Sequence, residues 1–375
     1  MLKYIPIHYQ RFFMLILAID IGGGTQDILL FDSTKTVENC VKMVMPSPTV
    51  ALATNIRAAT VDKRPLLFTG VNMGGGGAKG LLKKHTDAGF AVYAVPEAAY
   101  TFYDDLDRVR DMGVTIVSTD EAAKLKDVDE IKLKDLHLND IRNALTSFGV
   151  NADFDAVAVA VLDHGKAPKG VSDRTFRFEH IEQVVKQSNK LEAFAYLPDD
   201  VPHYLTRMKA VAQTLDMDVP LLLLDTGVAA ALGALQDSTI QKHDELIMIN
   251  LGNFHTLAFR LHRRAIMGLF EHHTGRMTTE KLDDLLTRFS SCRLSHEDVF
   301  NDNGHGCLPM RDKDKQMPFV AATGPQRGRF TGSKTNPYMA APYGDMMLTG
   351  CYGLIRGIAS RINDWREEIL RALGD

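Results

Sequence analysis

The chain has few cysteines, no long apolar run and no excess of basic charge, and each absence removes a class of function. Its four cysteines, Cys40, Cys292, Cys307 and Cys351, are scattered through 375 residues with no C-x-x-C among them. That argues against a closed zinc site and a disulfide framework, and it fits a reducing, cytoplasmic setting. No stretch reaches 18 apolar residues, so no membrane-spanning helix is expected. The run "FFMLILAI" meets Asp20 after eight residues. No small-residue cleavage site follows it, so it reads as a first core strand rather than a signal peptide. A formal charge of −4 gives phosphate backbones nothing to exploit, and no nucleic-acid partner is expected. Low-complexity tracts and short repeats are absent as well.

What is present is an ordinary globular balance, 45% apolar and 24% charged, in a chain long enough for two domains. Apolar runs alternate with helical patterns throughout, as in "RPLLFTG", "DAVAVAVLD" and "VPLLLLD", which argues for an α/β protein. "LEAFAYL" reads as a further strand, and "HYLTRMKAVAQTLD" as an amphipathic helix. Met14 would open the first strand cleanly, so residues 1 to 13 read as a dispensable extension. The rhythm restarts after residue 190, which places domains at 14–189 and 190–375.

One long-range echo stands out. "LAIDIGGGTQDILLF" and "IMINLGNFHTLAFRL" share a layout of apolar strand, Asp or Asn, glycine, polar residues, Thr and apolar strand, with Asp20 matching Asn250. Two such hairpins suggest a duplicated domain with a ligand cleft between the copies. In the first, three glycines permit a tight turn whose N–H groups form an anion-binding concavity. Asp20 at its mouth would repel a bare phosphate, and makes better sense if Mg²⁺ bridges the two.

These blocks resemble the actin, sugar-kinase and heat-shock-70 ATPase superfamily. "IDIGGGTQDILLF" resembles its first phosphate hairpin, "MINLGNFHTLAF" its second and "FVAATGPQRG" its adenosine block. "LLLLDTGVAAALGAL" and "PYGDMMLTGCYGLIRGIASRI" resemble its two connecting helices. Within the superfamily the chain is most similar to a bacterial and archaeal family sometimes labelled as pyruvate formate-lyase activating enzymes. Such enzymes hold an iron–sulfur cluster on C-x-x-x-C-x-x-C, and this sequence has no such motif. The resemblance implies duplicated actin-like (ribonuclease H-like) domains, with ATP and Mg²⁺ in the cleft and hydrolysis or phosphoryl transfer to an unknown acceptor. A nucleotide-gated scaffold with little turnover is the second reading. A redox activator with an iron–sulfur cluster shared across a homodimer, on Cys307 with Cys351 or Cys292, is the third.

The resemblance gives Asp20 the catalytic place beside the metal, with Gly22, Gly23, Gly24, Thr25 and Gln26 cradling phosphate. Asp27 is a second metal contact or a strand-edge acid. Asp225 matches the acid from which relatives activate the attacking group, although an acid before a helix is also a common N-cap. The resemblance puts nucleotide contacts of the second hairpin at Asn250, Gly252, Asn253, His255 and Thr256, with Asn250 in place of the usual Asp and with Asn253, Phe254 and His255 replacing a glycine-rich turn. One fewer carboxylate should weaken Mg²⁺ binding or slow hydrolysis. His255 is a phosphate donor or a surface histidine, and Thr323 and Gly324 fall in the adenosine block. Asp163 and His164 end a buried strand, where α/β proteins place substrate contacts, or form a plain loop. The glycines of "TGVNMGGGGAKG" are an anion site before a helix or a flexible connection. Asp302, His305 and Cys307 are grouped too loosely in sequence to define a metal site. His272, His273 and "RLHRR" read as a solvated strand pair and turn.

Overall fold

The computed structural model describes residues 13–309 and 317–374, so the expected extension at 1–13 lies outside the described residues apart from exposed Phe13. Fifteen strands form three sheets among the described residues. They are β1 (Leu15–Ile21), β2 (Thr25–Asp32), β3 (Val41–Pro46), β4 (Leu66–Gly70), β5 (Val92–Ala94), β6 (Val114–Ile116), β7 (Asp129–Leu133) and β8 (Ala156–Val161). After them come β9 (Leu221–Leu224), β10 (Glu245–Leu251), β11 (His255–His262), β12 (Ala265–His273), β13 (Gly306–Leu308), β14 (Phe319–Thr323) and β15 (Tyr338–Met339).

The first sheet runs β3-β2-β1-β8-β9 and the second β13-β12-β11-β10-β14-β15. In the first, β1–β2–β3 is an antiparallel meander and β8 and β9 join parallel to β1. In the second, β10–β11–β12 repeats the meander, and β14 and β15 join parallel. This duplicated order is the actin-like arrangement, with β13 as an extra edge. Every residue of β1 is buried, as suits a strand covered on both faces. A third, all-parallel sheet, β6-β5-β4-β7, is inserted between β3 and β8 and has its own core around Phe68, Leu82 and Phe102.

The division expected at residue 190 falls inside the first half. Leu221–Leu224 pairs with β8, so the chain changes sheets between Leu224 and Glu245. "LEAFAYL" is a 3₁₀ turn at Leu191–Phe194 with one bridge from Tyr196 to Leu223. Arg260 and His272 are buried rather than solvated, and Arg260 Nη1 donates to Ser290 O at 2.8 Å. The "RLHRR" turn itself is present, with Arg263 and Arg264 at positive φ.

Between the sheets cross two helices, Thr226–Ala234 and Thr349–Arg361. They meet backbone to backbone. A Cβ on Gly353 would lie 1.9 Å from Ala229 O, and one on Gly233 would lie 1.8 Å from Thr349 O. Side chains from both sheets, including Ala18, Met248 and Phe259, pack with Val228 and Leu354 into one core. That core holds the two hairpins facing each other. Among the described residues no helix is long and apolar enough to cross a membrane.

Candidate functional site

A cavity of about 800 Å³ opens between the β1–β2 and β10–β11 hairpins, within the size range of small-molecule sites. Strand alternation turns Thr25 and Asp27 into it and Gln26 away. Gln26 Nε2 donates to Pro46 O at 3.1 Å, and Gly24 also lies off the cavity wall. Gly22 N–H donates to Thr25 O at 2.9 Å, so Gly22 shapes the turn and has no amide to offer a ligand.

Asp20 and Asp27 are paired across β1 and β2, and both are buried. Thr226 Oγ1 donates to Asp20 Oδ1 at 2.5 Å. Asp20 Oδ2 fills the space left by Gly350, where a Cβ would lie 1.9 Å from it. Asp27 Oδ1 has no hydrogen-bond partner. Burial, and next the charge of Asp27, push the Asp20 carboxyl up to about 8. Burial pushes Asp27 up to about 7. Two buried acids at one mouth favour a cation between them.

The second hairpin reaches across to the first. Asn250 faces the cavity beside Thr323, its partner on β14. A Cβ on Gly23 would lie 2.1 Å from the Phe254 ring, and one on Gly24 would lie 2.7 Å from Asn253 Nδ2. The hairpin tips therefore touch, with Phe254 laid over Gly23. Gln326 Nε2 donates to Asn253 Oδ1 at 3.2 Å. Gly324, at φ 98° beneath Leu251 O, has no room for a side chain. Thr256 is fully buried behind the strand, bonded to Thr274 Oγ1 at 2.9 Å, and does not reach the cavity.

Asp225 does not reach the cavity either. Its Oδ1 caps the Thr226–Ala234 helix by accepting from Gly227 N at 2.9 Å. Its Oδ2 accepts from Arg177 Nη1 at 2.8 Å. The cap and the ion pair occupy the carboxylate expected to act as a base. Asp163 lines the cavity, and its carboxylate oxygens accept from Gly165 N and Met208 N at 2.8 and 2.9 Å. The glycine loop before the Ala78–Asp87 helix is a fixed wall of the cavity. Gly74 N donates to Asp135 Oδ1 at 3.3 Å, and Arg207 grips the same carboxylate with two bonds, at 2.7 and 2.9 Å.

Arg177 escaped the reading of the sequence. It is buried on the Asp173–Gln187 helix and joins Asp225 to Glu271, which accepts from its Nε at 2.9 and 3.0 Å. Glu271 in turn meets His255 Nδ1 at 3.2 Å. His255 is thus no surface histidine. Its ring lies 5.1 Å from that of His164, 4.8 Å from that of His305 and 5.2 Å from that of His273, centroid to centroid. His305 is completely buried with neither ring nitrogen bonded. Burial holds His305 down at about 3 and His273 at about 4, and it holds His164 well below the usual range. All three rings are neutral at physiological pH.

The Asp302–His305–Cys307 grouping is not assembled. Asp302 pairs with His272 and Lys281, and the Cys307 thiol points to Leu294 O at 3.6 Å. Cys351 is enclosed, its Sγ 3.1 Å from Asp27 O. Cys307 and Cys351 belong to different buried cores.

A family model described as "Putative pyruvate format-lyase activating enzyme (DUF1786)" matches residues 73–329. No curated protein matches the chain. Three solved structures similar to it share very little sequence. A Ppx/GppA family member from Aquifex aeolicus is 8% identical over 83% of this chain and 66% of that one, with a TM-score of 0.30. The ROK hexokinase of Thermus thermophilus is 11% identical over 91% and 97%, with a TM-score of 0.29. The ethanolamine utilization protein EutJ of Carboxydothermus hydrogenoformans is 12% identical over 91% and 88%, also at 0.29. The fold rests on strand order and register, not on these likenesses. Matched over more than half its length, the chain belongs to the DUF1786 family, on an actin-like framework of two equivalent sheets.

Proposed function

We propose that the cleft binds ATP with Mg²⁺, and that the protein hydrolyses it or transfers its terminal phosphoryl group slowly. The observation that carries this reading is the buried pair Asp20 and Asp27 at the mouth of a glycine hairpin, with Asp27 Oδ1 unpartnered. The pair fits a hard divalent cation, which takes carboxylate oxygens. Asp20 and Asp27 would hold it. When bound, Mg²⁺ neutralises charge on the phosphates. Thr226 fixes the Asp20 carboxylate, and the missing side chain of Gly350 makes the room in which that carboxylate sits. Thr323 and Gly324 form the opposite wall. Slow turnover follows from three features: Asn250 brings no charge, Asp225 is engaged elsewhere, and Phe254 covers Gly23.

Isothermal titration with ATP, in Mg²⁺ and in EDTA, tests the reading directly. Metal-dependent binding is expected, and no heat in either buffer at millimolar ATP would refute it. Phosphates approaching Gly23 must displace the half-exposed Phe254 ring from its contact. Phe254→Ala removes that step, worth about 1 kcal/mol for part of an aromatic face, and should tighten Mg·ATP binding about fivefold. Unchanged or weaker binding would show that the ring lies off the phosphate path.

A further inference from the structure

We propose that His164, His255 and His305 bind one divalent transition-metal ion of the zinc class, with a coordination position open to the cleft. The ligand nitrogens of these three residues lie within 4.8 Å of one another. Rotation about the side-chain torsions draws them to the roughly 3.3 Å edge of a tetrahedron with Zn–N bonds of about 2.0 Å. Neutral imidazole is the ligand such ions prefer, whereas Mg²⁺ prefers oxygen. This site is separate from the Asp20–Asp27 pair and does not rest on nucleotide binding.

Three observations converge on an ion here. First, both ring nitrogens of His305 are unbonded in a fully buried side chain, a costly arrangement that a ligand bond relieves. Second, Glu271 Oε1 lies 3.2 Å from His255 Nδ1. A proton on Nδ1 donated to that carboxylate leaves Nε2 free as a ligand, the usual support for a metal-bound imidazole. Third, Arg177 carries one positive charge between Asp225 and Glu271, which leaves this shell one net negative charge to balance a cation. Neighbouring His272 shows the contrast. Its Nε2 meets Asp302 at 3.0 Å and its Nδ1 accepts from His273 N at 2.8 Å, so it has no nitrogen to give.

The ligands come from both halves of the molecule. His164 follows β8 of the first sheet, while His255 opens β11 and His305 precedes β13 of the second. An ion there ties the halves together beneath the cleft. His164 and His255 line the cavity, so the fourth position faces it and takes water or an anionic oxygen. Three histidines with one open position are a Lewis-acid site that polarises such an oxygen or lowers the pKa of bound water.

The test uses untagged full-length protein stripped with EDTA and dialysed. Co²⁺ alone should bind one equivalent per chain with visible absorption of a four-coordinate site, and azide should shift that spectrum. Zn²⁺ should compete and raise the melting temperature, and Mg²⁺ should not displace Co²⁺. His164→Gln, on a loop, and His305→Gln should each weaken Co²⁺ binding at least about tenfold, with His272→Gln unchanged. Circular dichroism in EDTA confirms that each variant is folded. Asp20→Asn should keep full Co²⁺ binding, which separates this site from the nucleotide reading. Substoichiometric Co²⁺, or equal binding by folded His164→Gln and wild type, would overturn the proposal. A spectrum indifferent to azide would overturn the open position.

Discussion

Arg177→Met is expected to destabilise the protein by about 3–5 kcal/mol, the usual cost of removing one member of a buried ion network. The side chain is 2% exposed and lies between two buried acids. Asp225 depends on it for one oxygen, and Glu271 accepts from its Nε. Methionine fills much of the volume and adds no charge, so what remains is a pair of buried carboxylates that have lost their shared counter-charge. The cost arises from them rather than from lost packing. Arg177 Nη1 also donates to Asp163 O at 3.0 Å, so the loop leading to His164 loosens as well. Urea unfolding of wild type and variant at pH 7 measures the loss. Adding Glu271→Gln to the variant removes one stranded charge and should recover part of it, a coupling that a purely steric role would not produce. A loss below about 1 kcal/mol would mean that the acids find other partners.

The parts of this molecule visible in its sequence are those set by local chemistry. Three glycines after an apolar run can only turn, and a period of two puts Thr25 and Asp27 on one face. The echo between Asp20 and Asn250 became two sheets of matching order. The sheet to which a strand belongs is not local. Leu221–Leu224 is four leucines, and nothing in that run says that it pairs with β8, some sixty residues earlier in sequence. The boundary placed at residue 190 failed for that reason. Arg177 was invisible because a charge on a polar helix normally faces water, and its partner Glu271 lies 94 residues away. His164, His255 and His305 each drew notice separately, as a loop end, a hairpin residue and part of a loose cluster. Only the crossing of the two sheets brings them together. Strand alternation did hold one usable signal. Glu271 and His273 share a face of β12, and His255 pairs with His273.

Asp20→Asn is expected to abolish Mg²⁺-dependent turnover, by at least a hundredfold or about 2.7 kcal/mol, without harming the fold. Asparagine is nearly isosteric, so its Oδ1 still accepts from Thr226 Oγ1 and its other branch still sits against Gly350. Lost is the charge that joins Asp27 in holding the cation. The same substitution has a second, independent signature in metal-free protein. Asp20 is pushed up to about 8, chiefly by burial and next by Asp27, so the folded chain keeps a proton that the unfolded chain releases near pH 4. Stability from that proton is full below about pH 4 and is lost as pH rises towards 8. The amide of the variant cannot ionise. In EDTA the variant should therefore gain on wild type between pH 5 and pH 8, by at least about 1 kcal/mol, as read by urea unfolding at the two pH values. Turnover surviving within about threefold, a loss under roughly 0.7 kcal/mol, would remove Asp20 from the metal. Parallel pH profiles would show that its carboxyl is better solvated than its burial implies. The two results together decide whether the acid at the glycine hairpin binds a cation or only fills a turn.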